Sequence, residues 1–289
     1  MEKHYINKWY NGHSLYRMVD PYDLPPYTVR LLYEDDFTPT FRVGSGVQIS
    51  EYPNIWNFTY DNTDWTDAIT AHFHLLSVQG GNLKGVKNLF NSFVNNDKLS
   101  SFSVTTSPEL TSTNNMMSNC YKLQDFRLTD TSNVKYMGGM FTHCSSMSSS
   151  PIFNTNNVKA MNGMFYGCSN LTYVQHYNTS EVTSTSDMFE GCTKLESVPL
   201  FDLSNNKTMY HMFWSCRSLT SIQPFETSSL TSLNAAFAYC VNVCSGISSF
   251  YNLVNSRPNN PYHGQTFRGC GVSSTQGAAE LALIPSDWK

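Results

Sequence analysis

Met140-Phe141-Thr142-His143-Cys144-Ser145-Ser146-Met147 is followed, at an interval of 24 in the numbering, by Met164-Phe165-Tyr166-Gly167-Cys168-Ser169-Asn170-Leu171, and again by Met188-Phe189-Glu190-Gly191-Cys192-Thr193-Lys194-Leu195. The shared pattern is M-F-x-x-C-x-x-L. Met116, Met117, Cys120 and Leu123 fill the same slots one step earlier. Met212, Phe213, Cys216 and Leu219 fill them one step later, with Phe237, Cys240 and Val243 beyond. Phe93, Asn96 and Leu99 extend the series backward, and Ile69, His72 and Leu75 extend it weakly once more. Uninterrupted spacing of this kind is the signature of a repeat architecture.

Two periods are superimposed within each unit. After the leucine, Leu123-x-x-Phe126-x-Leu128 and Leu195-x-x-Val198-x-Leu200 alternate with period two, which predicts a short strand. Thr131 and Thr179 close that segment, where a hydroxyl can bond the turn backbone. Before the cysteine, Met137, Met140, Phe141 and Cys144 stand at i, i+3, i+4 and i+7, the spacing of one face of about two helical turns. The expected unit is therefore strand, turn, short helix. No unit of this size buries its apolar face alone, so neighbours must stack. This predicts an α/β repeat solenoid, a leucine-rich-repeat-like right-handed coil with 24-residue repeats, a small N-terminal β module and a C-terminal cap. At ~4.8 Å per strand, seven or eight coils would make a rod of roughly 35–40 Å.

Moving outward, the flanks lose the repeat. Residues 1–26 hold several aromatics (Tyr5, Trp9, Tyr10, Tyr16, Tyr22) and read as an arm that docks elsewhere. Residues 27–62 alternate as half-buried strands and form the β capping module, with Gly44-Ser45-Gly46 expected as a hairpin turn. The solenoid is placed at 63–245. In the cap, 246–289, the register stretches, so that Phe267 and Cys270 follow Phe237 and Cys240 by more than one repeat.

Composition limits the function classes. Charged residues make up 14% and the net charge is −4, against about 25% charged in ordinary chains. There is no basic stripe to release counterions from phosphate, so nucleic acid is not an expected partner. No apolar run approaches the ~18 residues of a span, so membrane insertion is not expected. The first thirty residues show no apolar signal region. Of eight cysteines, Cys120, Cys144, Cys168, Cys192, Cys216 and Cys240 recur once in every unit, always in the same slot. One thiol per unit reads as a structural ladder of small buried side chains rather than a disulfide framework, which favours folding in a reducing compartment.

The M-F-x-x-C-x-x-L unit, with Ser/Thr-Asn-Val upstream as in 132–134, resembles the BspA-like leucine-rich repeats over roughly residues 65–270. The stretches LPPYTVRLLYEDDFTPTF and GAAELALIPSDWK resemble flanks of a subgroup found in gut Bacteroidales and their bacteriophages. The resemblance implies a non-catalytic surface protein that mediates attachment. Neither the secretion signal nor the anchor usual in the family is visible, which a virion protein folded in host cytoplasm would not need.

The chain contains no G-x-S-x-G, H-E-x-x-H, P-loop or G-x-G-x-x-G pattern, so neither an enzyme nor a cofactor is expected. His72-x-His74 could offer two metal ligands, but His72 falls in the cysteine slot; no metal is expected. His143-Cys144 is adjacent in sequence, yet Cys144 belongs to the ladder. Asp61, Asp64 and Asp67 lack the spacing of a calcium loop. One constellation points outward. The sixth position after the leucine gives Phe153, Tyr177, Phe201 and Phe225, beside Asp130, Asn154, Asn178, Asp202 and Glu226 at the seventh. Two readings compete: a ligand face of Tyr173, Gln175, Tyr177, Phe201 and Phe225, or aromatics tucked in to fill the solenoid's edge. The expected role is a bacteriophage virion protein, a fibre or capsid decoration on the virion surface. It would contact other virion proteins through the arm, and a host surface protein or carbohydrate through the solenoid. A bacterial cell-surface adhesin and a purely structural virion protein are the alternatives, and a homo-oligomer stays open.

Overall fold

A computed structural model describes residues 9–10, 13–14, 24–49, 52–258 and 261–289. Most of the expected arm, including Tyr5, Tyr16 and Tyr22, lies outside them. Within it, β1 (Trp9–Tyr10) pairs antiparallel with β2 (His13–Ser14). The fold proper begins with β3 (Thr28–Tyr33), β4 (Ser45–Ile49), β5 (Tyr52–Thr59) and β6 (Leu75–Asn82). β7 (Ser101–Val104) and β8 (Asp125–Leu128) complete a sheet of order β4-β5-β3-β6-β7-β8.

The sheet changes character at β6. β3 pairs antiparallel with both β5 and β6, whereas β6, β7 and β8 run parallel, with Ser77 opposite Ser101 and Ser101 opposite Asp125. The antiparallel part covers the exposed edge that the first parallel strand would otherwise present. The expected hairpin turn at Gly44–Gly46 does not form, because Ser45 and Gly46 open β4 instead. The two residues pair with β5, Ser45 opposite Thr59 and Gly46 opposite Phe58, and glycine fits there because a Cβ on Gly46 would lie 2.0 Å from the Phe41 ring.

From β6 onward the chain advances one unit at a time. Parallel bridges join Asp64 to Asn88, Asn88 to Ser112, Ser112 to Tyr136, and so on through Ala160, Ser184 and Thr208 to Ser232. Each step equals one repeat of the sequence. The last, from Ser232 to Tyr262, is longer because α1 (Ile247–Asn255) is inserted. Regular strand pairing stops after β8. Beyond it the strand column continues as single bridges, Ser149 to Tyr173 and Ser221 to Ser245.

The predicted helix is replaced by a ribbon of consecutive β-turns. In the coil of Cys120, the N–H groups of Met116, Ser118 and Cys120 each donate three residues back, to Thr113, Asn115 and Met117, at 3.1 Å. The alternate N–H groups of Asn115, Met117 and Asn119 leave the coil and donate to Gly138, Met140 and Thr142 of the next, at 2.9, 2.9 and 2.7 Å. A helix would keep every N–H inside its own coil; the ribbon divides them between turn and neighbour. It requires a left-handed residue every fourth position, at Asn115 and Asn119, and at Gly163 and Gly167. Asn and Gly enter that region with least penalty.

The interior is a set of ladders. Cys120, Cys144, Cys168, Cys192, Cys216 and Cys240 are buried and unbridged. Each Sγ–H donates to a backbone carbonyl of the preceding coil, from Cys120 to Phe93 at 3.2 Å through Cys240 to Phe213 at 3.0 Å. Beside them Phe141, Phe165, Phe189, Phe213, Phe237 and Phe267 stack face to face at 5.3–5.9 Å. Trp288 ends this stack at 6.0 Å from Phe267. α2 (Thr275–Ala282) completes the cap, with Ser274 Oγ accepting the Gly277 N–H. Among the described residues no helix is long and apolar enough to cross a membrane.

Candidate functional site

The strand column decides which side chains reach solvent; its third position after the leucine stays buried, as Phe102, Ser150, Val174, Val198 and Ile222, but beyond it the pattern changes along the molecule. In the coils of β7 and β8, the fifth position after the leucine points inward: Val104 and Leu128 are buried. From the next coil on, the fifth position points outward, as Ile152, His176, Leu200 and Pro224, and the sixth turns in. Phe153, Tyr177, Phe201 and Phe225 are buried, all but Phe153 to 1% exposure. One extra residue after the third position exchanges the fifth and sixth side chains between faces, and burying a Phe or Tyr outweighs burying an Ile or Leu by area.

The outward aromatic column is therefore corrected. Tyr177, Phe201 and Phe225 are core residues that present no ring to solvent. Tyr177 stacks on Phe165 at 6.4 Å and on Phe153 at 6.2 Å, and donates its hydroxyl to the Pro151 carbonyl at 2.7 Å. Phe201 stacks on Phe189 and Phe225. Burial pushes the Tyr177 phenol well above its ordinary pKa. Of the five predicted contact residues, Tyr173 is exposed and Gln175 half-buried.

What faces solvent is a different row. Ile152 is 80% exposed, Tyr173 56% and Leu200 54%; His176 and Pro224 are exposed beside them. The same region holds an open recess of about 280 Å³, lined at its surface by His176, Asn178, Leu200, Asp202, Pro224 and Glu226. Its polar rim is held in place. The Asp202 carboxylate accepts the Ser204 N–H at 2.9 Å, and the hydroxyl and N–H of Ser204 hold its carboxyl below the usual range. Asn178 accepts from both the N–H and the hydroxyl of Ser180. Glu226 pairs with Arg257 at 3.0 Å. The surface offers an apolar strip flanked by fixed hydrogen-bond acceptors.

Sequence reasoning missed Ile152, Leu200 and Pro224 because the fifth slot reads as a core leucine in this motif. The signal that could have found them is the aromatic in the sixth slot from Phe153 onward.

The other candidates separate. Cys144 points inward, and burial pushes its thiol well above the ordinary range; His143 packs edge-on against Tyr166 at 5.0 Å. His72 Nδ1 meets the Tyr33 hydroxyl at 2.6 Å, whereas His74 Nδ1 meets Glu34 at 2.6 Å. The two histidines thus serve different partners. Asp64 accepts from the N–H and hydroxyl of Thr66 and from Asn88 Nδ2. One set able to hold a cation exists among the described residues, Asp187, Glu190 and His211 on the turn ribbon; the sequence reading did not single it out.

These features define a repeat protein, its coils sharing one interior and its side chains varying along the outer face. Residues 70–172 and 148–250 match the family described as "Mycoplasma protein of unknown function, DUF285". The matched span covers more than half of the chain, and the chain belongs to that family. No curated protein matches it. Among solved structures it is similar to the T. pallidum leucine-rich repeat protein TpLRR, at 16% identity and a TM-score of 0.47, over 78% of this chain and 99% of that one.

Proposed function

We propose that this chain is a non-enzymatic binding protein whose ligand face is the row Ile152, His176, Leu200 and Pro224 together with Tyr173 and the recess beside it. The observation that carries the reading is the grouping of exposed apolar side chains on neighbouring coils, Ile152, Tyr173 and Leu200, beside a recess whose polar rim is held by hydrogen bonds. Apolar side chains grouped on a surface mark contact sites, and large ones flanked by fixed polar groups suit protein or carbohydrate anchoring. The buried, unreactive thiols and the lack of a catalytic pattern agree with a role in recognition.

The setting proposed is the surface of a bacteriophage virion, with residues 1–26 docking on other virion proteins and the solenoid facing a host surface protein or glycan. This rests on the resemblance of the flanks to the phage-associated subgroup. The resemblance of the repeats to the BspA-like family supports the alternative, an adhesin on a bacterial cell surface. Binding to host cells and to a glycan array tests the face: Tyr173→Ala with Leu200→Asp should reduce binding at least tenfold while the far-ultraviolet circular dichroism stays unchanged. Wild-type binding by the double variant would remove the face from the account. Deleting residues 1–26 tests the setting, and is expected to abolish incorporation into particles while leaving a folded solenoid; normal incorporation would refute the docking role.

A further inference from the structure

The turn ribbon carries a donor set that the ligand face does not use. Asp187 and Glu190 belong to one coil, and His211 stands one coil on, in the slot equivalent to that of Asp187. His211 Nδ1 lies 3.1 Å from a Glu190 carboxylate oxygen and 3.7 Å from one of Asp187. One donor atom from each of the three lies within 4.8 Å of the other two. The side chains are only 36%, 14% and 17% exposed for Asp187, Glu190 and His211. The imidazole is held by its neighbours, stacked on Tyr210 at 3.8 Å and against Trp214 at 4.3 Å. Tyr166, one coil before Glu190, hydrogen-bonds the same carboxylate.

Two carboxylates drawn together away from water repel, and folded proteins ordinarily answer them with Arg or Lys. Here, among the described residues, His211 is the sole cationic partner within 4.0 Å of either. One imidazole supplies at most a single positive charge against two carboxylates, and its Nδ1 faces both of them. The equivalent slots of the neighbouring coils hold Gly163, Tyr166 and Asp187, or His211, Trp214 and Ala235, and neither trio is a donor set. The cluster is thus unique among the coils of this ribbon.

We propose that Asp187, Glu190 and His211 bind one divalent transition-metal ion, with Zn²⁺ the best fitted. One imidazole nitrogen and two carboxylate oxygens are a zinc-type set that leaves at least one position for water. Ca²⁺ and Mg²⁺ require about six oxygens, more than the set offers. The ion would bridge two neighbouring coils and supply the missing positive charge.

The test uses the full chain, stripped with chelator, and Zn²⁺ alone in a non-coordinating buffer at pH 7, followed by calorimetry. One saturable site per chain is expected, weakened at least tenfold in Glu190→Gln and in Asp187→Asn. The second variant keeps a residue that tolerates the left-handed backbone there, so it reports on the ligand even where another substitution disturbs folding. With Co²⁺ the site should show weak visible bands and no intense near-ultraviolet band of thiolate ligation, since eight cysteines are the competing donors. No saturation below millimolar ion, binding unchanged in both variants, or a thiolate band would each overturn the proposal.

Discussion

Each ladder thiol solves a local accounting problem. The carbonyl of the phenylalanine one coil back, or of Met117 in the case of Cys144, points into the interior and must be bonded there. A Cys side chain is small, apolar and still a donor, so it fits between stacked rings and satisfies that oxygen. Asn96 occupies the same slot one coil earlier and shows what a polar substitute needs: its Nδ2 bonds both Ile69 and Phe93, and its Oδ1 accepts from His72. Burial pushes the thiols up, Cys120 to about 12, and a thiol is unreactive. Maleimide labelling of the native chain should therefore modify Cys244 at most, the one cysteine that is only half-buried, and all eight after denaturation. Native labelling of two or more would refute the ladder. Cys168→Ala should cost about 1–2 kcal/mol in denaturant unfolding, and Phe165→Ala about 3–5 kcal/mol, because the ring leaves the larger cavity. His72 makes stability depend on pH. Burial lowers it from 6.5 to about 4, so between those values the unfolded chain binds a proton that the native chain refuses. Stability should fall as pH drops through that window, by about 2 kcal/mol between pH 7 and 4.5. His72→Asn should flatten the difference; an unchanged slope would assign it to other groups.

At the scale of the element, the apolar spacing before each cysteine is compatible with two structures. Met137, Met140, Phe141 and Cys144 lie on one face of a helix, and they also lie on one side of a turn ribbon whose period is four. Hydrophobic periodicity cannot separate 3.6 from 4 over so few residues. The distinguishing letters were present: Asn115, Asn119, Gly139, Gly163, Gly167 and Gly191 sit at the left-handed positions, and such residues are poor choices for the middle of a helix. The same holds for the strand. The repeat and its core slots were legible because size and apolarity recur once per unit, but which slot turns inward depends on whether the sixth holds a threonine, as Thr105 and Thr129, or an aromatic, as Phe153 and Tyr177. That competition between neighbours is settled only by the coils on either side. At the cap, α2 offers a test in which packing opposes propensity. Ala is ordinarily better than Gly in a helix by about 1 kcal/mol, yet a Cβ on Gly277 would lie 2.0 Å from the Val243 carbonyl. Gly277→Ala should lower the melting temperature, by the equivalent of about 1–3 kcal/mol.

For the whole molecule, stability is the sum of what each coil gains from its neighbours, with the antiparallel strands at one end and α1, α2 and Trp288 at the other closing the column. Function on this scale is a division of labour. The inward ladders repeat and fix the scaffold, while Tyr173, Leu200 and the Asp187 cluster differ from coil to coil, which is what the proposed contact face and metal site require. The central claim is that coils share one interior at an offset of a single repeat, and excising a unit tests it most directly. Removing residues 169–192 joins Cys168 to Thr193 and leaves every slot in register. That variant should unfold cooperatively with its five remaining ladder cysteines protected, whereas removing residues 169–188 breaks the register and should leave the chain exposed to maleimide from the junction onward. Equal protection in the two variants would contradict the account.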